Sequence, residues 1–289
     1  MEHVTWHDHP TLRRPVLVAA FEGWNDAGDA ATGAVRFLAD LSRMTEVAEI
    51  DPEPFVDFAV SRPLVRLDES GSRRIEWPRT IVSAGPLPGT DRDLVTVDAS
   101  EPRLRWRSYC DTILAIADEL DVEMVLTFGA LLADVVHSDP VGVIGAAADP
   151  SLVSRLGLRQ SSYEGPTGIV GVLQHRAREA GLDSVSLWAP VPSYVSAAPS
   201  PKATLALVER AATLLDLDVA DRLTLLRAEA AGYVNQVDAL VDGDEDLQEY
   251  VDRIREAEAA EPLTDDPARS SNELMAELED YLKDQGEGP

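Results

Sequence analysis

A short apolar run followed by a helix-like pattern is the most informative stretch of the chain. Residues 16–21, Val-Leu-Val-Ala-Ala-Phe, are apolar and partly β-branched, which predicts a buried strand. The next residues, Glu-Gly-Trp-Asn-Asp, permit a tight turn, and Asn or Asp can cap a following helix. Apolar side chains then recur at helical spacing, at Ala30, Ala31, Ala34, Val35, Leu38 and Leu41. A buried strand that leads directly into a helix indicates an α/β fold, in which ligands bind at the carboxyl ends of strands.

The chain alternates strand-like and helix-like patterns as far as residue 215. Strands are predicted over residues 45–50, 55–60, 80–84, 94–97, 124–128, 141–148 and 185–188, with a hairpin over 62–78. Helices are predicted from residue 100, where Ser-Glu-Pro is typical of a helix start, and over 151–156, 169–180 and 202–215. Beyond residue 218 only helices are predicted, over 219–241, 247–260 and 271–282, with an acidic linker at 261–267. We therefore expect a flexible N-terminal segment (1–14), an α/β domain (15–215) and an acidic helical C-terminal region (216–289).

The charge balance excludes some classes of partner. The chain of 289 residues carries 52 acidic and 25 basic side chains, for a net charge of −27. Residues 213–289 alone hold 22 acidic and 6 basic side chains. Such a surface repels polyanions, so we expect no nucleic-acid partner.

The sequence also predicts a cytoplasmic protein without a membrane segment. Cys110 is the only cysteine, which fits a reducing compartment, and we expect it to be a small buried apolar residue. The N-terminus has no basic-then-apolar leader. Residues 184–201 are uncharged but contain four prolines, which argues against a membrane helix.

No recognised catalytic or cofactor motif is present. Gly23, Gly28 and Gly33 lie five residues apart, but Asp and Ala follow Gly28 where a phosphate loop has Lys and Ser or Thr. The dinucleotide motif Gly-x-Gly-x-x-Gly, the Gly-x-Ser-x-Gly elbow, His-Glu-x-x-His and paired cysteines are all absent from the sequence. We predict neither a cofactor nor a metal site, and whether the protein is an enzyme stays open.

Three polar loops are candidates for one cleft. If the strands before them are parallel neighbours, the loops after residues 21 and 128 and the loop at 163–168 meet at the same sheet edge. The candidate ligand-binding residues are Glu22, Gly23, Trp24, Asn25, Asp26, Gly129, Tyr163, Glu164 and Gly165. The carboxylates among them can serve as acid and base or hold a metal. The alternative is structural: Asp26 caps a helix and Glu164 orders its loop.

A basic patch stands out on this acidic chain. The patch consists of Arg103, Arg105 and Arg107, near the predicted helix start. These arginines are interpreted either as solvated residues of the helix start or as contacts to an anion. His137 and His175 are interpreted as structural residues.

Longer motifs of the chain resemble a known family. They are Phe21-Glu22-Gly23-Trp24-Asn25-Asp26-Ala27-Gly28, Glu101-Pro102, Arg105-Trp106-Arg107, Tyr109-Cys110-Asp111, the stretches 129–134, 163–168 and 186–189, and 199–204. Together they resemble actinobacterial members of the proteasome assembly chaperone 2 family, over about residues 15–281. The resemblance implies a phosphorylase/hydrolase-like three-layer α/β/α sandwich, and the helical pattern beyond residue 218 adds a C-terminal helical appendage to it. It also implies self-association, for which a trimer is our hypothesis, and, in eukaryotic and archaeal relatives, a role in assembling the 20S proteasome.

The C-terminal sequence departs from that pattern. Archaeal relatives engage proteasome α-subunits through a terminal hydrophobic-Tyr-x tail, whereas Tyr281 lies eight residues before the end of this chain. Docking by such a tail is not expected here. Two functions therefore stand: an oligomeric proteasome-assembly or interaction protein, and a phosphorylase-fold protein or enzyme that binds a nucleoside- or phosphate-type molecule.

Overall fold

A large mixed β-sheet forms the centre of the protein. The computed structural model describes residues 2–68, 70–160 and 165–260. Its strands are β1 Val4–Trp6, β2 Val16–Glu22, β3 Thr45–Ile50, β4 Leu64–Leu67, β5 Arg73–Glu76, β6 Thr80–Pro86, β7 Asp93–Ser100, β8 Met124–Ala133, β9 Ile144–Ala147, β10 Arg159–Gln160 and β11 Asp183–Pro192. Within the described residues, nine strands form one sheet in the order β1-β3-β6-β7-β2-β8-β11-β9-β10, and β4 and β5 form a separate hairpin.

Strand β2 lies in the middle of this sheet, between parallel partners. It pairs with β7 on one side and β8 on the other, and β11 continues the parallel set beyond β8. The strands β6, β3 and β1 extend the sheet in antiparallel fashion, and β9 is antiparallel to β11. The parallel strands of this core place the carboxyl ends of β2, β7, β8 and β11 at one edge.

Helices cover both faces of the sheet. They are α1 Ala30–Ser42, α2 Trp106–Glu119, α3 Pro150–Leu156, α4 Ile169–Glu179, α5 Pro201–Leu215, α6 Thr224–Asp242 and α7 Glu245–Ala260. Because side chains alternate along a strand, Val16 and Val18 of β2 face the core beneath α1 and α5, whereas Leu17 and Phe21 face the core beneath α2 and α4. The predicted three-layer α/β/α sandwich is confirmed.

The C-terminal helices pack onto this body as an additional layer. Helix α6 lies against α5, and Val136 and Val195, which follow β8 and β11, join Val237 of α6 and Val251 of α7 in a separate apolar cluster. The predicted linker at 261–267, the helix at 271–282 and Tyr281 lie outside the described residues. In the part of the chain that the structure describes, no helix has both the length and the apolar character to cross a bilayer.

Several predicted element bounds are wrong. Residues 55–60 form turns rather than a strand, because Phe55 leaves the sheet to pack against Tyr109. The helix predicted from residue 100 begins at Trp106, after Arg105 in a left-handed conformation. Strand β8 continues past Gly129 to Ala133, and β11 past Trp188 to Pro192, because the two strands pair along their whole lengths. Prolines are tolerated there since β9, on the other side of β11, pairs only as far as Trp188.

Candidate functional site

The loop after β2 lies at the carboxyl edge of the parallel strands, as predicted. The Asn25 carbonyl accepts the amide N–H of Ala130 at 2.8 Å, and Asp26 forms a β-bridge with Ala130. The loop therefore joins β8 by backbone hydrogen bonds. This places Asn25 and Asp26 beside Ala130, the residue after Gly129.

Asp26 caps the first helix from inside the protein. Its carboxylate accepts the backbone N–H groups of Ala31 at 2.7 Å and Thr32 at 3.1 Å, and the Thr32 hydroxyl at 2.5 Å. Asp26 is 5% exposed, and burial raises the pKa of its carboxyl despite these bonds. The structural alternative weighed for Asp26, a helix cap, matches this geometry.

Glu101 lies outside the helix that its sequence context predicts. The pattern Ser100-Glu101-Pro102 predicts the first turn of a helix, but Glu101 directly follows β7 and is 7% exposed. Its Oε1 accepts the side-chain amide of Asn25 and the backbone N–H of Ile169, both at 3.2 Å. Glu101 thus caps α4 and ties it to the loop after β2.

Two further features of this network are the raised pKa of Glu101 and the close approach of Gly168 to the side chain of Asn25. Burial is the main cause that raises the pKa of Glu101, while the Ile169 N–H and the charge of Arg103 lower it. A Cβ added to Gly168 would lie 2.4 Å from Asn25 Nδ2, so only glycine allows this contact. Asn25, Glu101 and Gly168 are far apart along the chain, so no single local pattern contains all three.

Glu22 turns away from this network. Its carboxylate contacts the Arg36 guanidinium at 2.5 Å and accepts the Ser100 hydroxyl at 3.0 Å, and its side chain is 48% exposed. Arg36 also binds Asp98, at 2.8 Å. Glu22 is therefore part of a surface ion-pair group rather than the cleft beside Asp26.

Aromatic side chains close the β8 side of the loop. The ring of Trp188 lies so close to Gly129 that a Cβ there would be 2.4 Å from two ring carbons. Trp24 and Trp188 both pack beside the apolar cluster of Leu131, Ala133 and Ile144. Gly129 therefore provides room for the ring of Trp188.

Among the described residues, an open cleft lies at this edge. It has a volume of about 260 Å³, and its lining includes Gly23, Trp24, Asp26, Gly28, Leu132 and Ala198. Gly165 is exposed and precedes Gly168, whereas Tyr163 and Glu164 lie outside the described residues. The structure thus unites Gly23, Trp24 and Asp26 at one cleft and separates Glu22 from it.

The arginine patch lies on the surface beside Glu101. Arg103, Arg105 and Arg107 are exposed, and none of them forms an ion pair with another described residue. The backbone N–H of Arg103 and that of Leu104 both bind the Phe55 carbonyl, at 2.8 and 3.1 Å.

A second polar cluster, missed by the sequence analysis, anchors the C-terminal helices. His137, which is 2% exposed, lies 2.8 Å through Nδ1 from the Tyr194 hydroxyl and 2.9 Å through Nε2 from Asp238 of α6. Burial raises the pKa of Tyr194 to about 12. Lys202 donates to the carbonyls of His137 and Asp139, and burial lowers the pKa of its ammonium group. These contacts support the structural interpretation of His137.

In the described part of the chain, neither Cys110 nor a cluster of metal-ligating side chains adds a reactive group to this site. Cys110 is fully buried, as predicted, and burial raises the pKa of its thiol to about 12. Among the described residues, no group of three or more His, Cys, Asp or Glu side chains has the geometry to hold a metal ion.

Comparison with known proteins gives one consistent group of relatives. The sequence model of the PAC2 family matches residues 20–241. A PAC2 family protein from Streptomyces avermitilis is 49% identical, with a TM-score of 0.76, and the match covers 82% of this chain and 99% of that one. A Mycobacterium tuberculosis proteasome-assembly chaperone homologue is 45% identical, with a TM-score of 0.74 and the same coverage.

More distant structures share the fold. An archaeal proteasome activator from Pyrococcus furiosus is 15% identical, with a TM-score of 0.66, and the match covers 82% of this chain and 97% of that one. At this identity the likeness concerns the fold alone. No curated protein sequence matches the chain.

Proposed function

The chain belongs to the PAC2 family, and from this premise we propose that it acts in proteasome assembly. In this role it binds proteasome subunits as an interaction protein, associates with itself, and works in the cytoplasm. The observation that carries the proposal is the 45% identity to a proteasome-assembly chaperone homologue across 82% of this chain. A trimer is the oligomer we propose.

The carboxylates of the candidate site favour this role over small-molecule catalysis. Asp26 accepts three hydrogen bonds from the start of α1, and Glu101 holds Asn25 and the start of α4 together. Groups that are committed to the fold in this way are poor candidates for acid–base chemistry.

A reconstitution tests the proposal. Purified proteasome α- and β-subunits of the host are mixed with and without this protein, and assembly is followed by native electrophoresis and size-exclusion chromatography. We expect faster formation of half-proteasomes, or capture of an α-subunit intermediate that contains this protein.

The control addresses the strong negative charge of the chain. An unrelated protein of similar size and net charge is run in parallel at low and high salt, since salt screens non-specific attraction between charged surfaces. Neither binding nor a change in assembly rate, or an equal effect of the control protein, would overturn the proposed function.

A further inference from the structure

The hairpin of β4 and β5 has one apolar face that nothing in the described chain covers. Cross-strand pairs alternate between faces, so Val65 and Ile75 share a face with Leu67 and Arg73. On this face Val65 is 61%, Leu67 69% and Ile75 54% exposed. A two-stranded hairpin with such a surface is marginally stable in water by itself, so burial of this face against another surface would stabilise it.

The opposite face of the hairpin is already satisfied. Glu76 binds Arg66 at 3.2 Å and Arg74 at 2.7 Å. The base of the hairpin is fixed to the body, because Trp77 packs edge-on against Phe58 at 4.9 Å between ring centroids. The hairpin is therefore fixed to the body at its base. One face carries this ion-pair group and the exposed Leu64, and the other face is apolar apart from Arg73.

The charge of the hairpin is opposite to that of the rest of the chain. Residues 62–79 carry five basic and three acidic side chains, whereas the whole chain has a net charge of −27. Arg73 lies on the apolar face and forms no ion pair with another described residue. Arg66, Arg74 and Arg79 are already paired with carboxylates, so Arg73 supplies the positive charge of the apolar face. An apolar surface that also carries carboxylates complements this face.

The C-terminal helices carry such a surface. Residues 228–252 contain eight acidic and no basic side chains. Leu240, near the end of α6, is 58% exposed and is followed by Asp242, Asp244 and Glu245, all of them exposed. None of these three carboxylates has an ion-pair partner among the described residues.

The two surfaces are attached to different parts of the sheet. The hairpin connects β3 to β6, toward one end of the strand order, whereas α6 packs on α5, which covers β11 toward the other end. A hairpin therefore meets this acidic surface on a different copy. We infer that the apolar face of the β4–β5 hairpin docks onto the α6–α7 surface around Leu240 of a second copy of this chain.

This contact is heterologous, since two different surfaces meet, and repetition of a heterologous contact closes into a ring when the rotation permits. The inference rests on the self-association within the proposed function but not on proteasome binding. Three copies joined by this contact in a closed ring form the proposed trimer.

Sedimentation of surface variants tests the inference without proteasome subunits. The hairpin variant carries Val65→Glu and Ile75→Glu, the helix variant carries Leu240→Glu, and Leu64→Glu is the matched control on the opposite face of the hairpin. We expect the wild type and the control to form oligomers, and each of the two docking variants to associate at least about 100-fold more weakly, the scale of a central interface residue. All of the substituted residues are exposed, and melting temperatures verify that the variants fold.

Mixing the two docking variants is the decisive measurement. The helix variant keeps an intact hairpin and the hairpin variant keeps an intact helix surface, so the mixture must form a heterodimer. A mixture that stays monomeric, an oligomer that survives in either variant, or loss of association in the Leu64→Glu control would each overturn the assigned surfaces. A wild type that is monomeric at all concentrations would instead refute self-association itself.

Discussion

Replacing Glu101 by alanine tests how strongly a buried carboxylate holds the loop after β2 to the start of α4. The change removes the acceptor of Asn25 Nδ2 and of the N–H of Ile169, each 3.2 Å away, and of the backbone N–H of Trp24. A buried donor without a partner costs about 1–3 kcal/mol. The raised pKa shows that burial of the carboxylate carries its own cost, which alanine relieves. We therefore expect a net loss of about 2–3 kcal/mol in the free energy of unfolding.

The variant Glu101→Gln separates the hydrogen bonds from the charge. Glutamine keeps an acceptor oxygen but does not titrate, so the wild type should differ from it in a pH-dependent way. The folded-state pKa of Glu101 lies above its ordinary value of 4.5. Its contribution to stability is therefore present below the unfolded pKa and is lost as the pH rises through the folded pKa. We expect Glu101→Gln to gain stability relative to the wild type between acidic and neutral pH.

Urea unfolding followed by tryptophan fluorescence measures both effects. Glu22→Ala is the control, because Glu22 belongs to an exposed ion pair with Arg36, and such pairs contribute about 0–1 kcal/mol. If Glu101→Ala costs no more than Glu22→Ala, the carboxylate does not hold the loop. If the stability of Glu101→Gln relative to that of the wild type falls as the pH rises toward neutral, the assigned pKa direction is contradicted.

Three further perturbations address neighbouring features. Asp26→Ala should cost about 2 kcal/mol by loss of the cap on α1, and a melting temperature equal to that of the wild type would contradict this. Gly129→Ala should lower the free energy of unfolding by about 1–3 kcal/mol, because the added methyl group overpacks against Trp188. The double variant that also carries Trp188→Leu should recover part of this loss. If the losses of the two single variants simply add in the double variant, the ring is not the obstacle. Cys110 should resist alkylation by iodoacetamide near neutral pH until the protein unfolds, since burial raises its pKa to about 12; rapid labelling of the native protein, detected by mass spectrometry, would show an accessible thiol.

The parts of the fold with local signals were predictable. The apolar run of β2 and the stripe of α1 identified the first strand–helix unit, and Ser200 followed by Pro201 correctly marked the start of α5. The interpretation of Asp26 as a cap needed only residues that are close in sequence. Local patterns of this kind specify secondary structure because the partners are a few residues apart.

The errors arose where distant partners decide the outcome. Ser100-Glu101-Pro102 has the local appearance of a helix start, but Glu101 is bound by Ile169, which lies 68 residues further along the chain. Gly129 was interpreted as the end of a strand, whereas its missing side chain makes room for Trp188 of the neighbouring strand. No local pattern contains either partner, so only the three-dimensional arrangement reveals these roles.

The order of strands in the sheet has a consequence for how the chain folds during synthesis. Strand β2 is buried on both faces, yet Val16 pairs with Leu94 and Met124, which the ribosome adds much later. At translation rates of about 5–20 residues per second, this leaves the central strand without its partners for on the order of ten seconds. During that interval the apolar run of β2 is exposed to other nascent chains. The strand that forms the core of the mature protein is thus prone to aggregation early in synthesis. General folding factors that shield nascent apolar segments should therefore raise the yield of folded protein.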